Sequence, residues 1–474
     1  MQTFYPTLRV ALEPAVGRSP GEDLAIPSVL PSLRENFVGR LSPPSEGATV
    51  GALAVAATTS AAAISSAKIH PAASSLYSRG AGWGKGSFRA GAGGGGGPRA
   101  VALDAQIRRS QDAETLGCVL VAHVAEFDAS HAANALVRAV AVGVGHQGGC
   151  PSGEIDRLVG RVTFVEPGPQ PGDLASAAWA LAKLPRSGDI SFWAALASSV
   201  ETQGLSFSAH HLANTAWSLA RVGHYHAPLW CSLAAEARRK IELAACAEVS
   251  MTLWAFANAG AAIGKPFNEL FVVGAVQAQA RLPEFSPSSL ANVSWAFAKH
   301  GCGSGDDSQT DLTVLYWNIC TRVREVMQNF SGWEVSTISW ALVTVQFLDE
   351  VALSELAARA CKCEMGLANA STLAWAFAAA GIADEVLFKR ISRLVHERAD
   401  ELDCGAAARF VWAYGSLEMQ DDTVLGLLSS FVQREAGGFA VHDLSSLATG
   451  FVRAAYAEAP LRESIAREAL RRLP

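Results

Sequence analysis

Leu290-Ala291-Asn292-Val293-Ser294-Trp295-Ala296-Phe297-Ala298 is the stretch on which the reading of this chain turns. Close copies surround it: Leu174-Ala-Ser-Ala-Ala-Trp179-Ala-Leu-Ala, Leu212-Ala-Asn-Thr-Ala-Trp217-Ser-Leu-Ala and Val249-Ser-Met-Thr-Leu-Trp254-Ala-Phe-Ala upstream. Downstream stand Val335-Ser-Thr-Ile-Ser-Trp340-Ala-Leu-Val, Ala370-Ser-Thr-Leu-Ala-Trp375-Ala-Phe-Ala and Ala407-Ala-Arg-Phe-Val-Trp412-Ala-Tyr-Gly. Two flanking units lack the Trp and put Val137 and Thr449 in its place. Successive positions lie 42, 38, 37, 41, 45, 35, 37 and 37 residues apart. A period of this size with one helical motif per unit predicts helix pairs that bury their faces only by stacking.

Each unit has room for two helices. Helix A carries the Trp motif and is expected to end at a glycine, as at Gly223, Gly260, Gly301 and Gly381, where a left-handed C-cap suits the residue. Helix B follows with its own apolar spacing, as in Leu387-Phe388-Lys-Arg-Ile391-Ser-Arg-Leu394-Val395. Pro, Asp and Ser open the next helix A, as at Pro287 and Asp173. Sustained strand alternation is missing throughout. The expected fold is all-α: a right-handed superhelical α-solenoid of about nine helix-pair repeats over 116–474, with the Trp-less units as its ends.

Residues 1–115 read differently, as a disordered leader. Between Gly47 and Leu103 there is no acid, against five bases, and Ala, Ser and Gly dominate up to the run Gly93–Gly97. That is the composition of an organelle transit region or of a plain tail. Within it, Gly84-Lys85-Gly86-Ser87 lacks the frame of a phosphate loop, and Arg79–Arg89 mixes cations, Gly and aromatics as weak single-strand binders or flexible linkers do.

Half of the 474 residues are hydrophobic and 17% are charged, which excludes wholesale disorder. The net charge is −6: residues 1–115 hold 11 basic and 8 acidic residues, leaving 27 basic and 36 acidic for the repeats, or −9. Polyanion binding by the repeats therefore needs a local basic stripe. Nine cysteines, among them a lone Cys361-x-Cys363 and no CxxC, read as reduced core thiols. His210-His211 and His224-Tyr225-His226 stand without partner ligands, so no metal and no cofactor are expected. The chain shows no transmembrane stretch, no nucleophile elbow, no zinc-protease motif and no paired acids, so neither membrane insertion nor enzyme activity is expected.

With Trp at angle zero and 100° per residue, the Ala residues one and three after it flank helix A and let neighbouring A helices approach closely. Residues three before and four after the Trp form one stripe beside it. The candidate ligand-reading residues are there: Ser176, Lys183, Asn214, Arg221, Asn258, Asn292, Lys299, Thr337, Thr372 and Arg409, next to the repeat-core Trp179, Trp217, Trp254, Trp295, Trp340, Trp375 and Trp412. A stripe that varies by repeat reads RNA one unit at a time in some helical repeats. It is equally the solvated face that any soluble helix keeps.

Leu-Ala-Asn-x-x-Trp-Ala-x-Ala at a period near 38 resembles the octotricopeptide repeat, best around Trp217, Trp295 and Trp375, over roughly residues 125–474. Related arrays are the heptatricopeptide proteins, the Fas-activated serine/threonine kinase-like mitochondrial proteins and helical-repeat subunits of the RNA-editing substrate-binding complex. The resemblance implies an α-solenoid that binds single-stranded RNA in a mitochondrion or plastid, with roles in RNA processing, stability, translation or editing, and no catalysis in the repeats. No strand-rich segment follows Leu444, so the nuclease-like domain of some relatives is not carried over. The alternatives are a HEAT/armadillo-like protein-interaction scaffold, which the −9 balance favours and which could be cytoplasmic, and a fragment of a longer protein.

Overall fold

The computed structural model describes residues 98–144, 152–164, 168–184, 190–203, 206–264, 267–301, 312–456 and 458–472. The expected leader upstream of Pro98, its Arg79–Arg89 segment, and Cys150 and Cys302 lie outside the described residues.

Among the described residues the protein is an α-solenoid of ten helix pairs and contains no strand. The A helices are α1 (Pro98–Arg109), α3 (Ala129–Ala141), α5 (Pro171–Lys183), α7 (Ala209–Val222), α9 (Cys246–Ile263), α11 (Pro287–Gly301), α13 (Gly332–Thr344), α15 (Leu367–Ala379), α17 (Cys404–Ser416) and α19 (Val441–Arg453). The B helices are α2 (Ala113–His123), α4 (Ser152–Phe164), α6 (Ile190–Gln203), α8 (Ala227–Lys240), α10 (Asn268–Arg281), α12 (Leu312–Glu325), α14 (Glu350–Ala360), α16 (Glu385–Glu397), α18 (Asp422–Glu435) and α20 (Ala459–Arg471). Each A helix packs on the A helices before and after it, and each B helix likewise, so the chain forms two layers. No described helix is long and apolar enough to cross a membrane.

The array is longer than the repeat count and the boundary at 115 anticipate. Helix α1 lies inside the expected leader and docks on α3: His131 Nε2 sits 2.9 Å from the Ala100 carbonyl, Asn134 donates to Asp104 (2.9 Å), and Arg138 donates to the Ser110 carbonyl (2.6 Å). Only Leu103 and Ile107 of α1 are buried. Two apolar positions and no Trp leave no repeat signature to read.

The A layer is close-packed because small residues line both flanks of each A helix. Residues one and three after the Trp position are nearly all Ala, Ser or Gly and buried throughout α5–α17. The approach is tightest between α17 and α19. A Cβ added to Gly415 would stand 2.3 Å from the Gly450 carbonyl oxygen, and one on Gly450 would stand 2.6 Å from that of Val411. These contacts fix direction: the residues one before and three after the Trp face the next A helix. The residue four before faces it too, since Arg409 of α17 donates to Ser371 of α15 (3.0 Å). The opposite side of each A helix buries Leu or Phe, such as Leu219, Phe256, Phe297 and Phe377, against the B layer.

Turns repeat as faithfully as helices. Six A helices end in a Schellman motif, in which a left-handed residue lets the next N–H reach back to a carbonyl five residues earlier. Examples are His224 to Leu219, Phe347 to Leu342 and Ile382 to Phe377, each 2.9 Å. The left-handed residue is Gly143, Gly223 and Gly381 in three of them, but Gln346, Glu418 and Ala455 in the others. The expected cap at Gly260 is corrected: α9 continues to Ile263 and Gly264 takes the left-handed conformation. Gly301 remains in helix as the last residue of α11.

From B to the next A, the chain makes a short 3-10 turn, then an extended residue, then the N-cap, as in Val124–Glu126, Phe127 and Asp128. Acids satisfy helix N-termini throughout. Asp128, Asp384, Asp403 and Asp421 accept from the backbone N–H three residues on, at 2.7–3.2 Å. Asp173, Glu248, Glu334 and Asp443 accept the N-cap N–H at 2.9–3.2 Å.

Candidate nucleic-acid interface

The Trp of each repeat leans along the outer surface of the A layer toward its neighbours. Because the A helices lie so close, consecutive indole rings meet: Trp254 and Trp295 are 5.9 Å apart at 32°, Trp295 and Trp340 6.2 Å at 28°, and Trp375 and Trp412 5.9 Å at 29°. Offset, near-parallel rings at this spacing are a favourable aromatic arrangement. Trp179, Trp217 and Trp254 are buried, while Trp295, Trp340, Trp375 and Trp412 are half-buried. The rings are thus both core and surface, forming a row that seals the seams between A helices.

Two cations complete the row at its upstream end. Lys183 Nζ lies 4.2 Å above the Trp179 ring, and the Arg221 guanidinium lies 5.6 Å from the centre of Trp217. Burial, and then the neighbouring charge of Arg221, pull the Lys183 pKa down to about 8. Arg221 also donates through Nε to the Ala182 carbonyl (3.0 Å), satisfying the C-terminus of the preceding A helix. Lys299 stands at the same position of α11, half-buried.

The other candidates are more enclosed than a solvated face would be. Asn214, Asn258 and Asn292 are 4%, 7% and 2% exposed. Asn258 donates to the Trp254 carbonyl of its own helix (2.9 Å). Asn214 meets His210 Nε2 (3.0 Å), whose Nδ1 lies 3.1 Å from Glu248 of α9. Ser176, Thr337 and Thr372 are half-buried, with Thr372 donating to the Ala368 carbonyl (3.0 Å). Arg409 is folded into the α15–α17 seam, and burial pulls its pKa down against the opposing pull of Asp403 and Asp443. Few of the ten are openly accessible, and Asn214, Arg221, Asn258, Thr372 and Arg409 spend polar atoms on backbone or side-chain partners within a tight A layer.

A second set of basic residues escaped the sequence reading. In seven repeats a base at the end of helix B reaches to the carbonyl that precedes helix A of the same pair. Arg161 donates to Phe127 (2.7 Å), Arg281 to Ala244 (2.7 Å), Arg322 to Pro283 (2.9 Å), Arg359 to Phe330 (2.8 Å) and Arg398 to Met365 (3.2 Å). Lys240 and Arg472 do the same to Phe207 and Phe439. Most of these carbonyls belong to a residue just before the N-cap, where no helix bond serves them, while Pro283 lies in the 3-10 turn one step earlier. Local sequence marks them poorly: Arg281 precedes the buried Phe285, but Lys240, Arg359 and Arg398 precede Ala244, Met365 and Leu402. These cations hold the hairpins shut and are spent there.

Among the described residues no three His, Cys, Asp or Glu side chains converge as metal ligands would. Burial pushes the Cys361 and Cys363 thiols up, despite nearby Arg390 and Arg393. Fold and site define a class, a helix-pair repeat solenoid with an aromatic and basic row on its A layer. No protein-family model matches the chain, and no curated protein matches it.

Proposed function

We propose that the outer row of the A layer binds single-stranded RNA, in the manner of the octotricopeptide-type organellar proteins whose motif the repeats resemble. The protein would act without catalysis in RNA processing, stability, translation or editing in a mitochondrion or plastid. One observation carries this reading: Lys183 and Arg221 lie over successive Trp rings on adjacent A helices, and Lys299 occupies the same position further along. Cations beside aromatic faces in successive repeats suit a ligand that alternates phosphate and base.

Filter binding with single-stranded RNA tests it. The triple charge reversal Lys183→Glu, Arg221→Glu, Lys299→Glu should weaken binding and flatten its salt dependence, by about 0.7 in log–log slope per lost phosphate contact. Affinity and slope that stay unchanged would remove the row from consideration. A pH series adds a sign. Lys183 titrates near 8 in the free protein, and a phosphate beside it raises that value. RNA affinity should therefore fall as pH rises from 7 to about 9, and Lys183→Arg should abolish the fall.

A protein-scaffold reading rests on the B layer, where α12 exposes Trp317 (63%) and Val314 and the neighbouring α10 exposes Val272 and Val276. The −9 balance supports that reading less than it first did, because many acids cap helices. Partners retained after RNase treatment and lost with Trp317→Ser would favour the scaffold.

A further inference from the structure

The row of indole contacts breaks between α13 and α15. Trp340 stacks back on Trp295 and Trp375 stacks forward on Trp412, but among the described residues Trp340 and Trp375 make no ring contact with each other. Their helices still pack side by side. At its start α13 approaches closely, since a Cβ on Gly332 would stand 2.6 Å from the Glu364 carbonyl oxygen just ahead of α15. Further along, the seam carries Val343, three residues after the Trp, where the other Trp-bearing repeats have Ala or Gly. The branched side chain is 8% exposed and wedged into a contact that elsewhere takes only a small residue. A wedge at the end nearer the Trp residues parts the two rings.

The side chain that covers a seam in the upstream repeats is cut short here. The residue four after each Trp leans toward the preceding A helix, as Arg221 does in bonding the Ala182 carbonyl. In α15 that residue is Ala379, which is exposed, where earlier repeats carry Lys183, Arg221, Asn258 and Lys299. Thr372 leans the same way, but its hydroxyl is spent on the Ala368 carbonyl (3.0 Å).

We propose that the gap between Trp340 and Trp375 receives one nucleobase of the bound strand, an inference that rests on the RNA-binding reading. Two half-buried indoles on adjacent helices offer a base flat apolar walls. The gap continues the row that holds Lys183, Arg221 and Lys299, so a strand whose phosphates follow those cations reaches it. Upstream, Lys183 and Arg221 lie over their own rings, so backbone contact and base contact fall on different repeats. With the Thr372 hydroxyl occupied and Ala379 apolar, neither flank reads a base edge. The slot is therefore a sequence-tolerant stacking site that anchors the strand.

Binding of a short oligouridine and of an abasic ribose-phosphate strand of equal length tests the slot. The wild-type chain should prefer the oligouridine about tenfold, the worth of one stacked base. Ala379→Leu fills the gap from an exposed position, so far-UV circular dichroism should not change. It should remove most of the preference and leave the salt dependence as it was. Val343→Ala takes out the wedge, lets the rings close and should lower the preference in the same way. The triple charge reversal at Lys183, Arg221 and Lys299 should do the opposite, flattening the salt dependence while keeping the preference. Equal affinity for the two strands, or a preference that survives Ala379→Leu, overturns the slot and leaves the cation row standing. Binding to neither strand overturns the slot together with the RNA reading beneath it.

Discussion

Gln346, Glu418 and Ala455 hold φ values of 59°, 53° and 56° at the A-to-B turns, where three sister repeats use glycine. A side chain in the left-handed region costs roughly 1 kcal/mol, partly offset by the chain entropy that glycine would lose. Each change to glycine should therefore stabilise the fold by about 0.5 kcal/mol, read as a higher urea midpoint at constant slope. No change, or a loss, at all three would mean that these turns are held by other contacts. The same scale explains Tyr414. It replaces the Phe or Leu of its sisters at a buried position, and its hydroxyl lies 2.7 Å from Ser392, which donates in turn to Asp421 (2.8 Å). A buried hydroxyl without partners would cost more than the ring gains.

At the scale of the element, the hairpin clamp is the feature that most needs measurement. Arg359 donates to the Phe330 carbonyl while Phe330 itself is fully buried. Removing the guanidinium leaves a carbonyl unserved at the mouth of the hairpin. Arg359→Met, which keeps the apolar stem, should destabilise the protein by about 1–3 kcal/mol. Hydrogen exchange should quicken first at the start of α13 and the end of α14. Exchange that stays unchanged there would show that water serves the carbonyl equally well. The helices themselves were legible in sequence, because the motif places Leu, Trp and Phe at helical spacing. The clamps were not, since a basic residue reads the same whether it faces water or a carbonyl about thirty-five residues back, and only the antiparallel return of helix B brings the two together.

Across the whole molecule, stability is a sum over pairs and the seams between them. Gly450→Val would drive a side chain into the Val411 backbone at a seam with no slack. Overpacking of this kind costs about 1–3 kcal/mol. Its effect should stay local: exchange should rise in α17 through α20 and remain unchanged in α5 to α11. A uniform rise would show that the array unfolds as one cooperative unit. The same seams rule the candidate interface. Close A-helix approach turns the Trp row into stacked neighbours and encloses Asn214, Asn258, Asn292 and Arg409. The exposed part of the expected binding stripe is thereby narrowed toward Lys183, Arg221, Lys299 and the downstream Trp edges.

Sequence alone determined the helical class, the period, the Trp register and the small residues that let A helices touch, because those properties depend on local spacing repeated many times. It also placed the ten candidate residues on one face, which helical geometry dictates. Tertiary structure alone decided how many pairs there are, since α1 buries only Leu103 and Ile107 and neither α1 nor α2 carries the Trp motif. It likewise decided which polar residues are enclosed, which bases close hairpins and which acids cap helices. Those outcomes depend on what a neighbour one repeat away presents, and a polar side chain carries no mark of its partner until packing supplies one.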